Sequence, residues 1–171
     1  MTLSLQLTIR PERPDEAAAI RTVLDAAFGG PAEGELVDSL RAAGDLVLAL
    51  VAVDNDAIAG YIAWPRLLIE TPRDVRNAVA LAPLGVAPSH QRNGIGSALT
   101  RAGLAQLKEN GERLVFVVGD PLFYQRFGFS LEAARAYVSD YAGEYFMALR
   151  LADDPPEQGL VRYPTPFDGL S

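Results

Sequence analysis

The chain has 171 residues, enough for one domain with a sizeable core of its own. Its 15 Lys and Arg against 22 Asp and Glu give a formal charge of −7, so a basic face for nucleic-acid phosphates is not expected. The absence of cysteine and the single histidine, His90, exclude disulfides, thiolate nucleophiles, iron–sulfur clusters and metal sites built on several histidines, and fit a reducing cytoplasm.

Leu3, Leu5, Leu7 and Ile9 alternate with polar residues, which predicts a half-buried strand ended by Pro11 and Pro14. A helix follows, with Pro14, Asp15 and Glu16 in its first turn and Gly29-Gly30 as its stop. Ala17, Ile20, Leu24, Ala27 and Phe28 form its apolar stripe. A second helix runs from about Ala32 to Ala43, with Leu36, Val37 and Leu40 inward. Leu46 to Val53 and Ala57 to Trp64 read as strands of a hairpin about Asp54-Asn55-Asp56. Pro65 to Asn77 either extends that hairpin or forms a loop. Ala78 to Val86 reads as a fourth strand. Pro83 cannot donate to its ladder, so an edge, a bulge or a splay is expected there.

Gly94 to about Glu109 reads as a helix, and Leu114 to Val118 as a strand buried on both faces. Asp120-Pro121 opens a short helix that Phe127-Gly128-Phe129 ends. Tyr145 to Leu151 is a late strand, Ala152 to Gly159 a linker, and Leu160 to Phe167 a last short strand. This order predicts an α/β fold of the α+β type. Its sheet is mixed and mostly antiparallel, splayed at the fourth strand, with helices on both faces. Residues 1–151 are expected to form one domain on which 152–171 pack. No basic leader with a long apolar core opens the sequence, and no apolar run approaches the roughly 18 residues of a membrane span. Neither a signal peptide nor membrane contact is therefore expected.

The stretch most informative about chemistry is Leu84-Gly85-Val86 followed by Gln91-Arg92-Asn93-Gly94-Ile95-Gly96-Ser97. It runs from a strand through a tight loop into a helix. Gly94 and Gly96 lack a Cβ, so a ligand can approach the backbone. Their N–H groups fall at a helix start, where donors lack partners and the helix dipole is positive. Such a turn suits a pyrophosphate. The third glycine of a dinucleotide fingerprint is missing, because position 99 is Leu, and so is the lysine of a P-loop.

Gln91-x-x-Gly94-x-Gly96 after a strand resembles the acyl-CoA motif Q/R-x-x-G-x-G/A of the GNAT superfamily of N-acetyltransferases. Phe123-Tyr124-Gln125-Arg126-Phe127-Gly128-Phe129, about 30 residues on, is similar to the FYxxxGF helix of the same family. The resemblance covers the chain to about Leu151. It implies a single GNAT domain and direct acetyl transfer from acetyl-CoA to an amine, small or peptidic. Under it the backbones of Leu84, Gly85 and Val86 bind the pantetheine arm, and the N–H groups from Gln91 to Ser97 hold the pyrophosphate. Arg92 either assists or reaches solvent, and Gln91 either contacts the cofactor or stabilises the loop. Phe123 packs or lines the cofactor channel.

Tyr124 becomes the general acid that protonates the departing thiolate, and Leu84 or Val86 offers an oxyanion donor. Asp120 is read as a helix cap, Phe127 and Phe129 as core, and Trp64 as packing. His90 is read as a loop residue without a triad partner. Many family members carry a Glu on the fourth strand as base, and here that strand has no carboxylate. Glu33 and Glu35 are read as solvated surface charges near the acceptor side. A non-catalytic acyl-CoA-binding module and a nucleotide-binding domain stand as rival readings. A homodimer is compatible with the sequence, and no nucleic-acid partner or metal is expected.

Overall fold

The computed structural model describes residues 7–168. A nine-stranded sheet carries the spine order β1-β2-β3-β4-β6-β8. Strand β1 (Leu7–Pro11) pairs antiparallel with β2 (Leu46–Asp54), which forms a hairpin with β3 (Ala57–Glu70). Of the expected first strand, Leu3 and Leu5 lie outside the described residues. The hairpin turn places Asn55 and Asp56 at positive φ, a conformation short polar side chains tolerate.

The stretch after Trp64 neither extends the hairpin with β2, whose pairing ends at Leu46↔Pro65, nor forms a loop; it lengthens β3 into a second hairpin. Strand β3 continues through Pro65 to Glu70, and a turn with Thr71 N–H on Asp74 O (2.9 Å) leads into β4 (Val75–Leu81). The expected single fourth strand is two strands. Pairing with the next strand stops at Leu81, the register against β3 shifts by one residue across Ala82-Pro83, and β5 (Leu84–Val86) follows on β3 alone. Strand β6 (Leu114–Val118) pairs parallel with β4 from Val79↔Val115 to Leu81↔Val117, and antiparallel with β8 (Phe146–Arg150).

Two layers of helix flank the sheet. Helix α3 (Ile95–Glu109) packs Ile95, Leu99, Leu104 and Leu107 on Ile62, Trp64, Val79, Leu81, Val115 and Val117. Trp64 is fully buried there, in the room left by Gly103, where a Cβ would come 2.3 Å from the indole. On the opposite face, α1 (Ala17–Phe28) and α2 (Ala32–Ala43) cover Val51, Tyr61 and Ala63 through Ile20, Leu24 and Val37. Phe28, expected in that stripe, stays 44% exposed beside β5. Tyr61 donates to Glu12 Oε1 at 2.6 Å, and Arg41 holds the same carboxylate, so α2 is tied to β3 through one half-buried carboxylate. Burial, then the Glu12 bond, raises the Tyr61 pKa, so the phenol stays the donor of that bond.

The short helix after β6 is α4 (Pro121–Tyr124), continued by a 3₁₀ turn over Gln125–Phe127 and stopped by Gly128 at φ 101°. Two elements escape sequence reading: α5 (Leu131–Ala134), capped by Ser130, and β7 (Tyr137–Val138). Both are too short for periodicity to register. Strand β9 (Gly159–Arg162) pairs with β7 and with the end of β3. It ends before the expected Phe167, because Pro164 and Pro166 cannot donate to a ladder; a 3₁₀ turn over Thr165–Phe167 replaces it. Among the described residues, no helix is long and apolar enough to cross a membrane.

Candidate active site

The site begins where pairing lapses. Beyond Leu81↔Val117, β6 no longer follows its neighbour, and β5 pairs with β3 alone. Ala63 N–H donates to Pro83 O (3.1 Å) and Ala87 N–H to Ala59 O (2.8 Å). Bonded and non-bonded pairs alternate along an antiparallel ladder. In the register Gly60↔Val86, Tyr61↔Gly85, Ile62↔Leu84, Gly85 therefore directs its N–H and C=O to Tyr61. Leu84 and Val86 direct theirs to the free edge. Gly85 has no room for a side chain, since a Cβ would lie 2.9 Å from Leu24 and 3.1 Å from Phe28. Helix α1 thus presses directly on β5 and fixes it.

Gln91 donates its side-chain amide to Val86 O at 3.0 Å, so of its two possible roles it takes the one inside the loop. Asn93 reaches His90 O at 3.4 Å. Arg92 and Gly94 both stand at positive φ, 67° and 79°, with Asn93 between them. Alternation of this kind turns successive N–H groups to one side and makes an anion-binding concavity. No side chain caps α3, whose first helical bond is Ala98 N–H to Gly94 O (3.0 Å). The N–H groups of Ile95, Gly96 and Ser97 have no acceptor within the helix. Ile95 contributes only that N–H, as its side chain is buried in the core.

Gly96 draws the pieces together. A Cβ placed there would lie 3.8 Å from Leu84, 3.8 Å from Phe123 and 3.9 Å from Val86, so strand edge, helix start and α4 converge on one gap. The Phe123 ring packs edge-on against Tyr124 (4.9 Å, 84°) and Phe127 (5.2 Å). Tyr124 leans into the space left by Gly119, where a Cβ would come 2.5 Å from its ring, and touches Phe129 at 5.9 Å. Burial, and then the charge of Asp120, push its hydroxyl up to about 12, so it is a protonated phenol at neutral pH. Asp120 caps α4 through Leu122 N–H (3.0 Å), the role read for it from sequence.

Phe129 is core, but Phe127 is only partly so: the guanidiniums of Arg101 and Arg126 lie 4.9 and 5.5 Å from its ring. Arg126 also donates to Ser97 Oγ at 3.3 Å, which brings a cation to the start of α3. Sequence reading missed it, although it stands inside the quoted FYxxxGF stretch; nothing in the spacing tells which side of a 3₁₀ turn faces α3. His90 does have an acidic partner, in the hairpin turn. Its Nε2 lies 2.9 Å from Asp54 Oδ2 and its Nδ1 2.8 Å from Ser89 Oγ. A carboxylate only accepts, so Nε2–H donates to Asp54. The ring acts as a strut between loop and hairpin.

Strands β4 and β5 carry no carboxylate. Glu35 is a surface charge near Arg21 (3.7 Å), as expected. Glu33 is not fully solvated: its Oε2 is buried without a partner. Among the described residues, no three His, Cys, Asp or Glu side chains could hold a metal ion together.

The family model of an acetyltransferase (GNAT) domain matches residues 8–131. The N-acetyltransferase YhbS of Escherichia coli K12, itself uncharacterized, is 36% identical over 171 aligned residues, 95% of this chain and 99% of that one. The crystal structure of a YhbS from E. coli in complex with CoA superposes with a TM-score of 0.89 at 34% identity, over 100% of this chain and 97% of that one. A GNAT acetyltransferase from Brucella melitensis in complex with acetyl-CoA does so at 0.81 and 39% identity, over 96% and 100%. The free strand edge, the uncapped helix and the two motifs therefore sit in a chain that belongs to the GNAT acetyltransferase family.

Proposed function

We propose that the protein transfers the acetyl group of acetyl-CoA to a primary amine by direct attack in a ternary complex. One observation carries this reading: the free edge of β5 runs towards an uncapped helix start, with the Tyr124 phenol packed on Phe123 beside both. The outward N–H and C=O of Leu84 and the N–H of Val86 suit an extended amide chain such as pantetheine, bound as an added strand. The N–H groups of Gly94 to Ser97 suit the pyrophosphate, and Arg92 and Arg126 supply positive charge nearby. The CoA and acetyl-CoA complexes of the two related structures support the same cofactor.

In the reaction the amine nitrogen attacks the thioester carbonyl, forming a C–N bond. The oxygen takes up negative charge opposite a β5 N–H. The C–S bond then breaks, and the sulfur leaves with the Tyr124 proton. The nitrogen gives up its surplus proton to water, as no carboxylate stands on β4 or β5. Positioning supplies most of the rate and the phenol a further part.

That missing carboxylate also favours a second reading, a non-catalytic acyl-CoA-binding module. Thiol release from acetyl-CoA over a panel of primary amines separates the two. Amine-dependent release is expected. Saturable CoA binding with no release from any amine would leave only the binding module.

A further inference from the structure

A cavity of about 190 Å³ opens at the gap between β4 and β6. Leu81 and Val117, two of its lining residues, form the last pair before the strands part, and Ala82, on its wall, lies two residues before the free edge of β5. Helix α3 and Tyr124 belong to the cluster on one face of the sheet. The aromatic walls, Phe116, Tyr163 and Phe167, belong to clusters on the other face. A donor lying along β5 at the α3 side and a second molecule in this cavity thus meet across the gap, as direct transfer requires. The lining is almost wholly apolar, and two of its aromatic rings come from the segment after residue 151. Tyr163 is held edge-on between Tyr141 (4.6 Å) and Phe167 (5.2 Å), so the wall is preformed.

We infer that this cavity is the acceptor pocket and that it selects amines with a slim apolar body, alkyl or aryl, over hydroxylated amines and polyamines. The inference rests on the acetyl-transfer reading above and names the substrate class of that site. Size agrees with it: an apolar cavity of about 150 Å³ takes up a benzene ring. Chemistry agrees as well, because a sugar or polyamine here would lose water to a lining whose polar side-chain groups are the phenols of Tyr141 and Tyr163 alone.

The test titrates 2-phenylethylamine, n-butylamine, ethanolamine and glucosamine into the CoA-loaded protein by calorimetry, with thiol release from acetyl-CoA followed in parallel. Val118 is a lining residue that is 48% exposed, so Val118→Trp narrows the cavity from its open side without disturbing the core. The apolar amines are expected to bind at least about tenfold tighter than the hydroxylated ones. V118W is expected to remove that preference while leaving acetyl-CoA affinity unchanged. A second variant, Phe167→Leu, is expected to weaken 2-phenylethylamine more than n-butylamine. Equal binding of all four amines, or an apolar preference that survives V118W, overturns the pocket. So does a preference for hexanoyl-CoA over acetyl-CoA that V118W abolishes, which would give the cavity to the donor's acyl chain. Selective amine binding without thiol release would uphold the pocket and overturn acetyl transfer instead.

Discussion

Strands β4 and β5 are two stretches of one extended run, apolar from Ala78 on and separated only by Ala82-Pro83. Strand β4 pairs with β3 on one side and β6 on the other, and its Ala78 to Leu81 are buried. Strand β5 pairs with β3 alone and directs the N–H and C=O of Leu84 and the N–H of Val86 away from it, while Val86 O takes the Gln91 amide. A buried backbone group without a partner is costly, so a sheet rarely leaves an inner edge unpaired without a use for it. On the function proposed above, the cofactor lies where the ladder with β6 stops, a place set by backbone pairing before any side chain is considered.

Replacing Gly96 breaks the contrast most completely. Leu at 96 fills the gap between Leu84, Val86 and Phe123 and should lower acetyl-CoA affinity by about a hundredfold or more, with an unchanged circular dichroism spectrum. Gly96→Ala, whose Cβ meets ordinary contacts of 3.8 Å, should stay within about threefold, which separates a filled gap from a disturbed helix.

Tyr124→Phe comes next. Turnover should fall by about a hundredfold with acetyl-CoA affinity intact, measured by steady-state kinetics and calorimetry. A general acid must be protonated, and burial with the Asp120 charge holds this phenol near 12. Its activity is therefore present at neutral pH and lost only as pH rises through that value. Asp120→Asn keeps a good cap and removes a negative charge, so it should move the alkaline limb of kcat to lower pH.

Gln91→Ala sharpens the contrast within the loop. Losing the 3.0 Å bond to Val86 O removes about 1 kcal/mol, which should raise the KM for acetyl-CoA about fivefold and leave kcat nearly unchanged. The smallest effect is expected from His90→Ala, which frees the loop from Asp54. The melting temperature should fall by about 2–4 °C, read by differential scanning fluorimetry.

The element order, the α3 helix and the break near Pro83 were legible because periodicity and proline act locally. Which of the three alternatives expected at Pro83 holds was not, since that depends on where β6 leaves β4, a long-range event. Gly94 and Gly96 could be singled out by spacing, whereas the role of Gln91 needed its distance to Val86. His90 looked unpartnered because Asp54 lies 36 residues away in sequence. Phe28 looked like core because helical spacing does not report that α1 ends over β5. The cavity beside β4 and β6 was invisible for the same reason: Phe116 and Phe167 stand 51 residues apart and line it together only in the folded chain.

The central claim is that the β5 edge and the Gly94–Ser97 turn form a CoA site. Its most direct test compares acetyl-CoA, CoA, ATP and NAD, at matched concentration, for their effect on the melting temperature of the wild type and Gly96→Leu. At about a hundred times Kd, a ligand adds about 2.7 kcal/mol, or roughly 5–11 °C for a chain of this size. The account predicts that shift with the two CoA species only, and its loss in Gly96→Leu. No shift with CoA, or a larger one with ATP or NAD, would contradict it.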